Sequence, residues 1–248
     1  MKLRWLIIFG LVAFVAFAIV SLPASVLFGF LQSHGVTAAG TQGSVWKGRA
    51  QMLQIEGTNV GAIEWDLHAL ALLALKLKAD VTLTRAEGVA QTTVSMRSID
   101  AITFENLNAS LPISALSGLA PAGWGGTVNL RFNELQLHDG WPRVANGAAE
   151  ILNLTSASQA SSLSGSYKVT FPSTSVDPGE NVVAGDLVDL GGPLQLNGEL
   201  QLRPDRSYLL TGMVAARPEA PPNLANQLQI LGPPDAEGRR PFSLEGTL

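Results

Sequence analysis

Hydrophobic and polar positions follow two different rhythms along this chain. From Trp5 to Gln42 there is no Lys, Arg, Asp or Glu. The apolar run Leu6–Val20 continues through Ser21-Leu22-Pro23 to Leu31. A helix rises about 1.5 Å per residue, and about 20 apolar residues cross the hydrocarbon core. The stretch from Leu6 to Leu31 is longer than that, so it predicts a transmembrane anchor over residues 5–31. Pro23 predicts a kink or break, leaving 5–22 as the spanning part with a bent exit. Lys2 and Arg4 both lie on the N-terminal side, and Trp5 sits where an interfacial aromatic belongs. The positive-inside rule then makes residues 1–4 cytoplasmic and residues 32–248 a translocated domain. A cleaved signal peptide is the rival reading. Its apolar region runs about 7–15 residues before an A-x-A-like site, whereas this run is longer and Pro23-Ala24-Ser25 matches poorly.

Past the anchor the period falls to two. Leu75, Leu77, Ala79, Val81 and Leu83 alternate with Lys76, Lys78, Asp80, Thr82 and Thr84, which is the pattern of a half-buried strand. Ile63, Trp65 and Leu67 alternate with Glu64 and Asp66. Val128, Leu130 and Phe132 are followed by Leu135 and Leu137, and the phase shift at Asn133–Glu134 predicts a β-bulge. Tyr167, Val169 and Phe171, then Leu194, Leu196, Leu200 and Leu202, continue the theme. Turn formers divide these runs, among them Glu87-Gly88, Asp139-Gly140, Asp177-Pro178-Gly179 and Arg203-Pro204-Asp205. Short helices are expected over 68–74 and 222–231, and a helical turn over 111–116. About ten to twelve short strands at close spacing predict antiparallel pairing of sequential neighbours. The fold class is mainly β with one N-terminal transmembrane helix. Its apolar strand faces need cover, and a sandwich, a rolled sheet or an open trough would each supply it.

Composition removes several functions. Only 15% of residues are charged, against about 25% in ordinary soluble chains. Without Lys2 and Arg4, 14 basic residues face 20 acidic ones, and there is no basic footprint for nucleic acid. There is no cysteine, so thiolate metal sites, Cys nucleophiles and disulfides are excluded. His34, His68 and His138 stand singly and form no metal motif. No nucleophile elbow or phosphate loop occurs. We therefore expect no enzyme, no cofactor and no metal. Glu64 and Asp66 read as a solvated strand face, and Arg203–Arg206 as a charged hairpin turn. Trp46 and Trp65 are expected in the core. Trp124 and Trp141 fall in predicted loops and are the interface candidates.

One resemblance rests on the order of several motifs. Thr41-Gln-Gly-Ser-Val-Trp-Lys-Gly48 follows the anchor, then Gly61-Ala-Ile-Glu-Trp-Asp-Leu67 and the Leu-rich 69–75. Gly198-Glu-Leu-Gln-Leu-Arg-Pro-Asp-Arg206 leads into Asn223–Gly232 and Gly238-Arg-Arg-Pro-Phe-Ser-Leu-Glu-Gly246. This order resembles the type II secretion system protein N family across nearly the whole chain. Arg206 stands where a turn glycine is expected after Pro-Asp. The resemblance implies a single-pass inner-membrane component of the machine that exports folded proteins from the periplasm. Its neighbours would be platform subunits of the C and M types, and its bulk would be periplasmic. The Val-Trp-x-Gly and Ile-x-Trp-x-Leu texture also looks like AsmA-type proteins. That likeness favours a curved, mostly antiparallel open sheet, with lipid in an apolar groove as the alternative role.

Overall fold

The computed structural model describes residues 5, 9–11, 14, 17–18, 20–98, 100–116, 123–156, 164–173 and 181–247. Lys2, Arg4, much of the anchor and the turn at 177–179 lie outside the described residues. Among the described residues, no helix is long and apolar enough to cross a membrane. Those described between 5 and 20 are helical, and their large apolar side chains Trp5, Phe9, Leu11, Phe14, Phe17 and Val20 are all exposed. Regular helix stops at Pro23, as its missing N–H dictates. Pro23 is extended (φ −71°, ψ 149°) and bridges to Ser44. A separate helix, α1 (Ala24–Leu31), follows.

The chain divides into two compact units. The first comprises residues 1–86 with 93–95, the second 87–92 with 96–248. Fourteen strands are described, and every strand pairing given is antiparallel. In the first unit, β1 (Val36–Ala39) and β2 (Gln42–Gly43) both pair with β3 (Lys47–Ile55). β3 in turn pairs with β4 (Thr58–Leu67), and β4 with β5 (Leu77–Arg85). The alternation predicted here holds. Ala79, Val81 and Leu83 lie opposite Leu67, Trp65 and Ile63 on one face. Leu75 does not join it. The short helix α2 (Ala69–Leu72) ends in a turn where Leu75 has φ +54°, and the strand begins at Leu77.

β6 (Gly88–Ser98) contributes residues to both units. The second unit continues with β7 (Ala101–Pro112), β8 (Trp124–His138), β9 (Trp141–Ser156) and β10 (Gly165–Phe171). Then come β11 (Val183–Gly191), β12 (Leu194–Leu202), β13 (Ser207–Ala216) and β14 (Arg240–Thr247). From β7 onward each strand pairs with the next, so the sheet is open with β14 at its edge. The bulge forms where the phase shift predicts it. Phe132 pairs with Gly147 and Glu134 with Asn146, leaving Asn133 over. Helix α3 (Pro222–Leu228) forms with proline in its first turn and runs into a 3-10 turn to Leu231. Residues 113–116 are a 3-10 turn after β7, matching the expected helical turn in part.

Candidate interaction surfaces

Two surfaces follow from these elements. The first is the polar face of the first unit. Cross-strand register sets Lys47 opposite Asp66 and Asp66 opposite Asp80. The next row is Arg49, Glu64 and Thr82. Two carboxylates directly opposite repel one another, so each carries its own partner. Lys47 Nζ donates to Asp66 at 2.6 Å. Asp80 accepts from the Thr93 hydroxyl at 2.6 Å and contacts His68 Nε2 at 2.8 Å. The Thr93 hydrogen bond and then His68 hold the Asp80 carboxyl below its ordinary range, and Asp66 raises the Lys47 ammonium. Arg49 donates twice to Gln42 Oε1, at 3.0 and 2.6 Å. Gln42, Lys47, Arg49, Glu64, Asp66 and Asp80 line an open cleft of about 480 Å³. Glu64 and Asp66 thus share the solvent face the sequence assigned them.

The reverse of the same strands is apolar. Trp65 is 7% exposed, its Nε1 donates to the Val45 carbonyl at 3.0 Å, and Phe28 of α1 meets its ring edge-on at 5.5 Å. Gly48 is required there, because a Cβ would lie 2.5 Å from the Trp65 ring. Ala24, Ala50 and Leu53 complete this core. Ala50 and Leu53 both face inward because the β3–β4 register slips between them.

The second surface is the apolar face of the second unit. Leu107, Ala109, Phe132, Ala145, Phe171 and Val183 form its core, flanked by half-buried Leu130, Val169, Leu200 and Leu202. Phe132 and Phe171 lie 6.0 Å apart across Gly147, where φ is +151° and an added Cβ would lie 2.2 Å from the Arg131 carbonyl oxygen, so no side chain fits. Among the described residues, helix α3 covers the far end of this face, where Leu224 packs on Leu194 and Val214. No large side chain among the described residues is sealed completely from solvent. At the end of the β11–β12 hairpin Asp189 ion-pairs with Arg217 and accepts from the Leu196 N–H at 3.0 Å. Burial, and then the Asp189 charge, push the Tyr167 phenol up.

The tryptophan candidates are placed differently from the sequence expectation. Neither stands in a loop, because Trp124 opens β8 and Trp141 opens β9. Trp141 is 9% exposed, so it packs inward, and its Nε1 has no hydrogen-bond partner. Trp124 is half-buried. Trp65 is core as expected, while Trp46 is half-buried. Arg203–Arg206 is the β12–β13 turn. Arg206 has φ +67°, the conformation a glycine would favour, and its Nη2 donates to the Asp139 carbonyl at 2.9 Å. The side chain thus bridges two turns of the second unit. Of the histidines, His138 lies 3.6 Å from Asp139, and the His34 side chain is outside the described residues. Sequence reasoning missed the Asp189–Arg217 pair, since 28 residues separate its members.

These features define first a class: a protein of open antiparallel sheet that offers broad faces and an apolar N-terminal segment. The chain belongs to the family described as "Type II secretion system (T2SS), protein N", whose model matches residues 34–243. A type II secretion system protein N of Vibrio cholerae serotype O1 is 27% identical over 238 residues, covering 93% of this chain and 92% of that one. The protein of the same name from Aeromonas hydrophila is 22% identical over 247 residues, covering 96% of each. No solved structure gives a significant match.

Proposed function

We propose that this chain is a non-enzymatic subunit of the type II secretion system, held in the inner membrane by its N-terminal segment with both sheet units in the periplasm. The observation that carries the role is the family match across residues 34–243. The placement is supported by the charge-free run from Trp5 to Gln42, in which the described large apolar side chains Trp5, Phe9, Leu11, Phe14, Phe17 and Val20 are all exposed. Exposed apolar side chains on a charge-free segment of this length are stabilised by a lipid surrounding. The polar face around Lys47, Asp66 and Asp80 and the half-buried Trp124 are the surfaces offered to platform subunits of the C and M types. Deletion in the host tests the role: secreted hydrolases are expected to accumulate in the periplasm, and unchanged export contradicts it. A reporter fused after Leu248 tests the placement, and activity only in the cytoplasm contradicts it.

One observation favours a second reading, lipid handling. The apolar face of the second unit is left half-open between its core and α3. Lipid co-purifying with the detergent-extracted chain in native mass spectrometry supports a groove; a lipid-free chain excludes it.

A further inference from the structure

Among the described residues outside the N-terminal run, the turn between β4 and β5 is the most apolar exposed segment. Leu70, Leu73 and Leu75 are 81%, 85% and 88% exposed, and Leu72 and Leu77 beside them are 36% and 43% exposed. A soluble surface spreads such residues singly, and a cluster of them marks a contact. The segment is ordered. α2 is closed by Ala71 N–H to His68 O at 3.0 Å, and Lys76 N–H returns to Ala71 O at 3.1 Å. The leucines therefore point outward from a built turn.

Backbone bonds fix where this turn lies. The Val45 N–H donates to the Leu22 carbonyl at 2.9 Å, and the Leu67 N–H donates to the Trp46 carbonyl at 2.6 Å. His68 N–H then donates to Lys78 O at 2.8 Å. Leu22, the last residue of the apolar run before Pro23, thus sits one hairpin end away from the base of the leucine turn. Both belong to the first unit. Lys76, an exposed cation, follows the leucines directly, with Lys78 two residues on. Leucine tips backed by lysines match an acyl boundary beneath anionic headgroups.

We infer that the turn from Ala69 to Leu75 enters the membrane interface beside the exit of the N-terminal span, giving the first unit a second membrane contact that fixes its orientation. This rests on the anchor reading above. The occupant is the lipid surface, since the turn emerges at the same end of the unit as the span.

The chain has no cysteine, so one introduced cysteine gives one label. Full-length Leu73→Cys, Phe14→Cys and Thr58→Cys variants are labelled with nitrobenzoxadiazole and reconstituted in vesicles of phosphatidylethanolamine and phosphatidylglycerol. Thr58 opens β4 at its other end, about 30 Å away at strand spacing. Label at 73 is expected to shift to the blue and lose fluorescence to shallow nitroxide lipids. Label at 14 is expected to lose it to deep ones, and label at 58 to neither. Quenching at 14 without quenching at 73 overturns the second contact alone. A blue shift at 73 without lipid quenching overturns it in favour of a protein partner. No quenching at either position overturns the anchor and the second contact together. Replacing Leu70, Leu73 and Leu75 with serine should restore trypsin cleavage at Lys76 in the vesicles, and continued protection would count against the inference.

Discussion

In the first unit the apolar face of β3–β5 is covered by a helix from the N-terminal side: Phe28 meets Trp65, and Ala24 and Ala50 are almost fully buried. In the second unit the described helix α3 lies at the last strands of a longer sheet, where Leu224 is 3% exposed, while Leu200 and Leu202 stay half-buried. The polar pairs divide the other way. Lys47–Asp66 and His68–Asp80 lie on an exposed face, whereas Asp189 is 10% exposed at its pair with Arg217. A sheet with one apolar face thus has two ways to hold itself together. It can be capped, at the expense of an open surface, or it can be pinned at its turns and left partly open.

The largest expected effect breaks the cap. Trp65→Ala should cost about 3–5 kcal/mol in denaturant unfolding of the detergent-solubilised chain, because it removes a buried aromatic and strands Phe28. A loss below about 1 kcal/mol would mean that α1 does not seal this face. Next is the pin. Asp189→Asn leaves Arg217 without its counter-charge in a sheltered place and should cost about 2–3 kcal/mol, read in the same way. The open region gives less. Leu200→Ala should cost about 1–2 kcal/mol, since its side chain is only half withdrawn from water, while Leu224→Ala should approach the usual core figure of about 2–5 kcal/mol. Equal losses at the two positions would erase the contrast within the second unit.

The smallest effect concerns Asp80. Its folded carboxyl is held low by Thr93 and then His68. A carboxyl held low adds stability above the ordinary carboxylate range, about pH 4, and that stability is lost as pH falls through the lower folded value. Asp80→Asn should therefore lower stability by less than about 1 kcal/mol at neutral pH, because the pair is exposed to solvent. The difference from the parent should vanish on acidification. A difference that grew toward low pH would reverse the assignment.

Much of this was legible in the chain, wherever the physics is local. Alternation from Leu77 to Leu83 and from Ile63 to Leu67 placed strands and faces correctly. One extra residue at Asn133 announced the bulge, and Pro222 with Gly232 bracketed the C-terminal helix and its 3-10 extension. Errors arose where a neighbour decides. Leu75 fits the period of two, yet the turn that returns the chain from α2 draws it into a left-handed conformation. Trp141 stands before Pro142 and reads as a loop residue, but β9 starts immediately at the turn and carries it inward. The slip that turns both Ala50 and Leu53 inward leaves no clean phase shift in Lys47–Ile55, where polar Gln51 and Gln54 flank the inward positions. The partners Asp189 and Arg217, and Arg206 reaching Asp139, meet only through tertiary structure.

The proposed role in secretion depends on the N-terminal segment holding the sheet units at the membrane. The most direct measurement is export of folded hydrolases by a host lacking the chain. Such a host is supplied either with the whole protein or with residues 23–248 released into the periplasm by a cleavable signal; the latter keeps the α1–Trp65 packing intact. Export restored only by the whole, anchored chain is the predicted result. Full restoration by the released form would contradict it.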